Sequence, residues 1–112
     1  KLALARGELY VGLVVLFDMK TTEPLAIIQD AGLQRLRVGA TSALAAKFLS
    51  RHNSHVVGLF GSGWQADPQL QGLVRVRDIR QIKVYSPNSE NRESFTNQMR
   101  DSLSAEIISV KN

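Results

Sequence analysis

The stretch from His55 to Ala66 leaves the backbone few ways to fold. His55-Val56-Val57-Gly58-Leu59-Phe60 is a short apolar run after a polar break, the pattern of a buried strand. It runs directly into Gly61-Ser62-Gly63-Trp64-Gln65-Ala66, and a helical pattern then extends from about Trp64 to Val76. Pro68 falls in the first turn of that helix, where a missing N–H is tolerated because those donors have no intrahelical partner. Gly61 permits a sharp turn out of the strand. Gly63 lets other groups approach bare backbone, and Ala66 is small enough for the helix to lie close against the strand. A helix that opens this way presents unpaired N–H groups and partial positive charge, a cradle for phosphate.

Glycine spacing of this kind arises by chance, so its context decides its weight. Here a strand precedes it, a helix opens on it, and a second strand, Gln81 to Tyr85, ends roughly 20 residues further on, as a dinucleotide-binding turn requires. Gly61, Ser62, Gly63, Trp64, Gln65 and Ala66 are therefore expected to hold the pyrophosphate of a nicotinamide cofactor. The end of the second strand discriminates between cofactors. An Asp or Glu there binds the ribose 2′-hydroxyl of NAD and repels a 2′-phosphate. This sequence has Ser86-Pro87-Asn88-Ser89 instead, with no carboxylate before Glu90 and with Arg92 nearby. Ser86, Asn88 and Arg92 supply hydroxyl, amide and guanidinium donors, a set that favours NADP over NAD.

The rest of the chain alternates between strand and helix. Residues 11–18, VGLVVLFD, and Leu25 to Gln29 read as two strands joined by the polar turn Lys20-Thr21-Thr22-Glu23, an antiparallel hairpin. From about Ala31 to Leu49, Leu33, Leu36, Ala40, Ala43 and Leu44 recur at spacings of three and four, which places them on one helix face, with Asp30 as the N-cap. Alanines at 40, 43, 45 and 46 keep that helix slim. Ser50 to Ser54 is a polar break. After Tyr85, Ser89 is placed to cap a helix from Glu90 to about Ser102, and Glu106 to Val110 reads as a third strand. Strand, helix, strand, helix, strand from residue 55 onward implies a parallel sheet with right-handed crossovers. The fold class is α/β: a hairpin plus long helix, then the βαβαβ first half of a Rossmann domain.

Composition narrows the chemistry. The 112 residues include no cysteine, which excludes disulfides and cysteine-based metal sites. His52 and His55 stand without nearby carboxylate clusters, so no metal site is expected. No apolar run reaches membrane-spanning length, and no signal peptide is recognisable. The net charge of +4 suits an anionic ligand. Its densest part, Arg75, Arg77, Arg80 and Lys83, lacks interleaved aromatics and reads as a solvated surface near a helix C-terminus rather than a nucleic-acid platform. A first residue that is lysine, and a sheet half that exposes an apolar edge, suggest an internal fragment of a longer protein.

Three segments together resemble a known family: a hairpin containing Phe17-Asp18 and Glu23-Pro24-Leu25-Ala26-Ile27-Ile28, then Leu36-Arg37-Val38-Gly39-Ala40-Thr41-Ser42-Ala43-Leu44-Ala45-Ala46-Lys47, then the strand and glycine turn. The combination is similar to the ornithine cyclodeaminase/mu-crystallin family over about residues 10–100. The resemblance implies a two-domain, cytoplasmic, homodimeric protein, with residues 1–53 part of a substrate-binding and dimerisation domain and residues 54–112 the start of the Rossmann domain. It matches Arg37 to the arginine that binds the substrate carboxylate, a role suited to a guanidinium that pairs bidentately. It puts the catalytic aspartate beyond residue 112. Val38 stands where the family often has threonine, and Trp64 is bulkier than usual. Lys1-Leu2 resembles the context of the family's substrate lysine but lies too close to Gly12. The implied activity is NAD(P)-dependent hydride transfer at the α-carbon of a small amino or imino acid, as in oxidoreductases and ornithine cyclodeaminase lyases. The alternative is a non-catalytic, crystallin-like protein that binds NADP(H) and a small ligand.

Overall fold

The computed structural model describes residues 12–111, so Lys1, Leu2 and Val11 lie outside the described residues. The chain divides into two compact units, Lys1–Arg37 and Val38–Asn112.

In the first unit, β1 (Leu13–Phe17) and β2 (Pro24–Gln29) form the expected antiparallel hairpin, paired from Leu13 opposite Gln29 to Phe17 opposite Pro24 with an irregularity after Leu16. Pro24 starts β2 one residue earlier than its alternation suggests. The first position of a strand tolerates a residue that cannot donate. Asp18 ends β1 because its side chain builds the turn: Oδ1 accepts from the N–H of Lys20 at 2.7 Å and of Thr21 at 2.8 Å. These bonds hold the Asp18 carboxyl below the ordinary aspartate range. Thr22 takes up a left-handed conformation with φ of 61°.

The long helix α1 spans Asp30–Leu49. Asp30 is its first residue, not a flanking cap, and its N–H donates to the Gly12 carbonyl at 2.9 Å. Of the expected face only Ala43 is buried: Leu33, Leu36 and Leu44 are 43%, 69% and 56% exposed, and Gly39, outside that set, is buried with Ala43. This helix is apolar on more than one side, so periodicity alone does not select the face that packs.

The second unit is a three-stranded sheet in the order β3 (Val56–Phe60), β4 (Gln81–Tyr85), β5 (Glu106–Ser109), all parallel, with α2 (Ala66–Val76) and α3 (Ser89–Ser102) as the crossovers. Its core joins Leu70 of α2 and Phe95 and Met99 of α3 to Ile82, Val84 and Ile107 on one face of the sheet. The opposite face carries Val56 and Phe60, 57% and 85% exposed. The same unit contains the C-terminal part of α1, which crosses α2 at near backbone contact. A Cβ on Gly39 would overlap the Pro68 carbonyl, and one on Gly72 would lie 2.6 Å from the Gly39 oxygen. Only small residues permit that approach.

Arg77 secures the end of α1. Its Nη2 donates to the carbonyls of Ala46 (3.1 Å), Lys47 (2.6 Å) and Ser50 (3.2 Å), and its Nε to Ser50 Oγ (3.1 Å). The basic stretch is thus not uniformly a solvated surface. Arg77 is partly buried because the last carbonyls of a helix lack partners and attract a cation. His55 sits at the opposite end of β3 from the glycine turn, with Nδ1 2.7 Å from the Asp78 carbonyl.

Candidate functional site

The parallel register sets Phe60 opposite Tyr85 and Val84 opposite Ser109. The glycine turn and the turn after β4 therefore leave the sheet side by side, at the C-terminal ends of their strands. Ligands of open α/β sheets bind at this end.

Gly61 has a φ of +101°, a backbone conformation that L side chains rarely adopt. Its N–H donates to the Tyr85 carbonyl at 2.7 Å, which anchors the turn to β4. The Phe60 and Tyr85 rings meet edge to face at 6.1 Å beside this bond. A sequence pattern carries no signal for either contact, since both depend on strand register. Around Gly61 and Gly63 a Cβ would meet nothing within 4 Å. The bare backbone at Gly63 therefore faces open space and not another part of the chain.

Helix α2 begins at Ala66, two residues later than its pattern suggests. Gln65 is the N-cap, and its side chain makes no capping bond. The Ala66 N–H donates to the Gly63 carbonyl at 2.9 Å. Among the described residues, the N–H groups of Ser62, Gly63 and Gln65 find no acceptor in the chain. Gln65 Oε1 is buried without a hydrogen-bond partner, a cost normally offset by a water or a ligand. Trp64 lies on the outside of the turn, 46% exposed. Open space above glycine backbone and unpaired amides at a helix N-terminus together fit a pyrophosphate-bearing ligand, while the orphaned Gln65 oxygen calls for a donor such as a water or a ligand hydroxyl.

The turn after β4 is organised differently from a surface loop. Ser86 is buried at 8% exposure. Asn88, and not Ser89, caps α3: its Oδ1 accepts from the Asn91 N–H at 2.8 Å. Two capping residues stand in tandem in the sequence, and the backbone at Asn88 is extended as a cap requires. Arg92 is not a solvated helix residue. It is 5% exposed, with Nη1 donating to the Ser86 carbonyl at 2.6 Å and Nε to Ser109 Oγ at 2.9 Å. Ser109 escapes sequence reasoning because only the β4–β5 register brings it here.

The structure thus brings Gly61 to Ala66, Ser86, Asn88 and Arg92 into one unit at one end of one sheet. Arg37 belongs to the other unit, where it lies on an exposed part of α1. Among the described residues no helix is long and apolar enough to cross a membrane.

Comparison with known proteins gives a consistent picture. The model of the ornithine cyclodeaminase/mu-crystallin family matches residues 8–112. A delta(1)-pyrroline-2-carboxylate reductase of Bacillus cereus (strain ZK / E33L) is 34% identical over 90 residues, 80% of this chain and 28% of that protein. The structure of Thermococcus litoralis delta(1)-pyrroline-2-carboxylate reductase in complex with NADH and L-proline superposes with a TM-score of 0.86 at 35% identity, covering 91% of this chain and 32% of that one. An archaeal alanine dehydrogenase dimer with bound NAD gives 0.87 at 32% identity, covering 97% and 34%. The chain spans about a third or less of these relatives' length.

Proposed function

Because the chain belongs to the ornithine cyclodeaminase/mu-crystallin family, we propose that the protein carrying it performs NAD(P)-dependent hydride transfer at the α-carbon of a small amino or imino acid. The observation that carries this reading is the glycine turn, with Gly61 at positive φ and backbone N–H groups unpaired around open space. The nicotinamide, when bound, supplies the hydride acceptor or donor. The chain's own residues bind and orient. Ser62, Gly63, Trp64 and Gln65 line the pyrophosphate cradle, largely through backbone, and Ala66 keeps the helix that forms it close to the sheet. Ser86 and Asn88 border the adenosine ribose, where the absence of a carboxylate leaves room for a 2′-phosphate and makes NADP the preferred cofactor. Arg37 pairs with the substrate carboxylate, so that its contribution is positional.

On this reading residues 1–53 belong to a substrate-binding domain, residues 54–112 open the Rossmann domain, and the whole protein is a cytoplasmic homodimer. The test is a titration with NADPH and NADH followed by nicotinamide fluorescence, together with turnover of pyrroline-2-carboxylate, alanine and ornithine. Binding is expected for the wild type and is lost in Gly61→Ala, where a Cβ forces the turn out of its conformation. Arg37→Ala is expected to raise KM for the amino or imino acid by roughly tenfold or more while leaving the NADPH dissociation constant alone. Failure of the wild type to bind either dinucleotide refutes the proposal.

A further inference from the structure

A buried cation holds the turn after β4 from beneath. The two arginine donors described above reach the Ser86 carbonyl and Ser109 Oγ, and Ser109 Oγ donates onward to Glu93 Oε1 at 2.6 Å. The Arg92 N–H donates to the Asn88 carbonyl at 3.1 Å, while Asn88 Oδ1 accepts from the Asn91 N–H. Both ends of the Ser86–Asn88 turn are therefore tied to the first turn of α3. A guanidinium keeps its charge in a protein, and here both of these side-chain contacts are neutral, a carbonyl and a hydroxyl. The Glu93 carboxylate is one hydroxyl removed. Burying a charge in this way is unfavourable, and an apolar side chain of similar volume fills such a space at least as well. Packing alone does not explain an arginine at this position.

The chemistry at the strand end does. The Ser86 carbonyl at the end of β4 is an acceptor that would repel an anion, and its partner is the buried guanidinium. Arg92 engages the Ser86 carbonyl from the buried side and adds a positive charge below the turn. We propose that Arg92 sets the cofactor preference of this site, as a positioning residue that acts through Ser86 and Asn88 to make the end of β4 accept a dinucleotide bearing a 2′-phosphate. The inference rests on the dinucleotide reading of the glycine turn. Glu90, exposed in the first turn of α3, opposes it electrostatically, so the buried cation also offsets a nearby negative charge.

The experiment measures dissociation constants for NADPH and NADH by fluorescence titration at one ionic strength, in the protein that carries this chain and in its Arg92→Lys and Arg92→Gln variants. Circular dichroism and melting curves run alongside. The wild type is expected to prefer NADPH. Arg92→Gln, which keeps a donor and loses the charge, weakens NADPH binding by roughly tenfold and leaves NADH within about twofold. Arg92→Lys restores most of the preference. Should Arg92→Gln fail to fold, Ser109→Ala gives the readout: it removes the Nε acceptor, keeps the charge, and lowers the NADPH-to-NADH ratio several-fold. A parallel loss of both cofactors in these variants, or an unchanged ratio, reduces Arg92 to a structural role and overturns the inference. A wild type that prefers NADH overturns it while the dinucleotide reading stands. A wild type that binds neither cofactor removes both.

Discussion

Two glycines on α1 are expected to respond to the same substitution with opposite signs. Gly32 has nothing within 4 Å of where a Cβ would be, so Gly32→Ala adds helix propensity without a steric penalty and stabilises by about 1 kcal/mol. Gly39→Ala gains the same propensity but places its Cβ against the Pro68 carbonyl, with the carbonyl carbon at 2.7 Å and Pro68 Cβ at 3.1 Å. The obstruction is backbone and cannot swing aside, so α1 and α2 must separate. Overpacking of that kind costs about 3 kcal/mol, which leaves a net destabilisation of about 2 kcal/mol after the propensity gain. The two variants should then differ by about 3 kcal/mol. Urea unfolding followed by far-UV circular dichroism measures this from the midpoints, provided the slopes agree. If Gly39→Ala proves neutral or stabilising, the close helix crossing is not what holds this unit together.

The other predictions concern the ends of α1 and the hairpin turn. Arg77→Ala removes the donors that serve Ala46, Lys47 and Ser50 and is expected to destabilise by about 2–3 kcal/mol in urea unfolding, with Arg77→Lys recovering part of the loss. Asp18 is held below its ordinary value by the N–H groups of Thr21 and Lys20. A depressed carboxylate stabilises above its unfolded value and loses that contribution as pH falls through the folded one, so an NMR pH titration should show the Lys20 and Thr21 amide shifts moving below about pH 4. The movement should vanish in Asp18→Asn. Thr22→Gly relieves the left-handed strain at φ 61° and is expected to stabilise by about 1 kcal/mol in the same unfolding assay.

The parallel βαβαβ order was legible because each of its parts is local: alternation in Gln81–Tyr85, a glycine turn after an apolar run, helical spacing between them. Features set by register or by tertiary contact were not. Ser89 and Asn88 are both good caps, and sequence does not say which takes the extended backbone. Arg92 follows Glu90 and Asn91 in a polar stretch that gives no sign of its burial. Its burial depends on Ser109, 17 positions on, arriving beside Ser86 through the β4–β5 pairing. Arg77 looks like part of a basic surface because its partners lie about 30 positions earlier, at the end of another helix. The slimness of α1 was readable from its alanines, yet its buried face was not, because leucines crowd the other side.

These misses share a consequence for the candidate site. The amides proposed to cradle the phosphates belong to the N-terminus of α2, so their position is fixed by whatever fixes that helix. Its first turn carries Pro68, the residue whose carbonyl touches Gly39, and one turn later Gly72 meets Gly39 and Ala43. The contact that demands glycine in the core is therefore within a turn of the residues proposed to face the cofactor. A shift of α2 large enough to admit a Cβ at Gly39 must also displace the Gly63–Ala66 turn, whose geometry tolerates little movement because Gly61 is tied to Tyr85. Gly39→Ala should thus weaken NADPH binding as well as stability, although residue 39 makes no contact with the glycine turn's open face. Gly72→Ala should do the same from the other side of the crossing. If either variant loses stability with the dissociation constant unchanged, the cradle is positioned by the sheet alone and the helix crossing serves only to hold α1 in place.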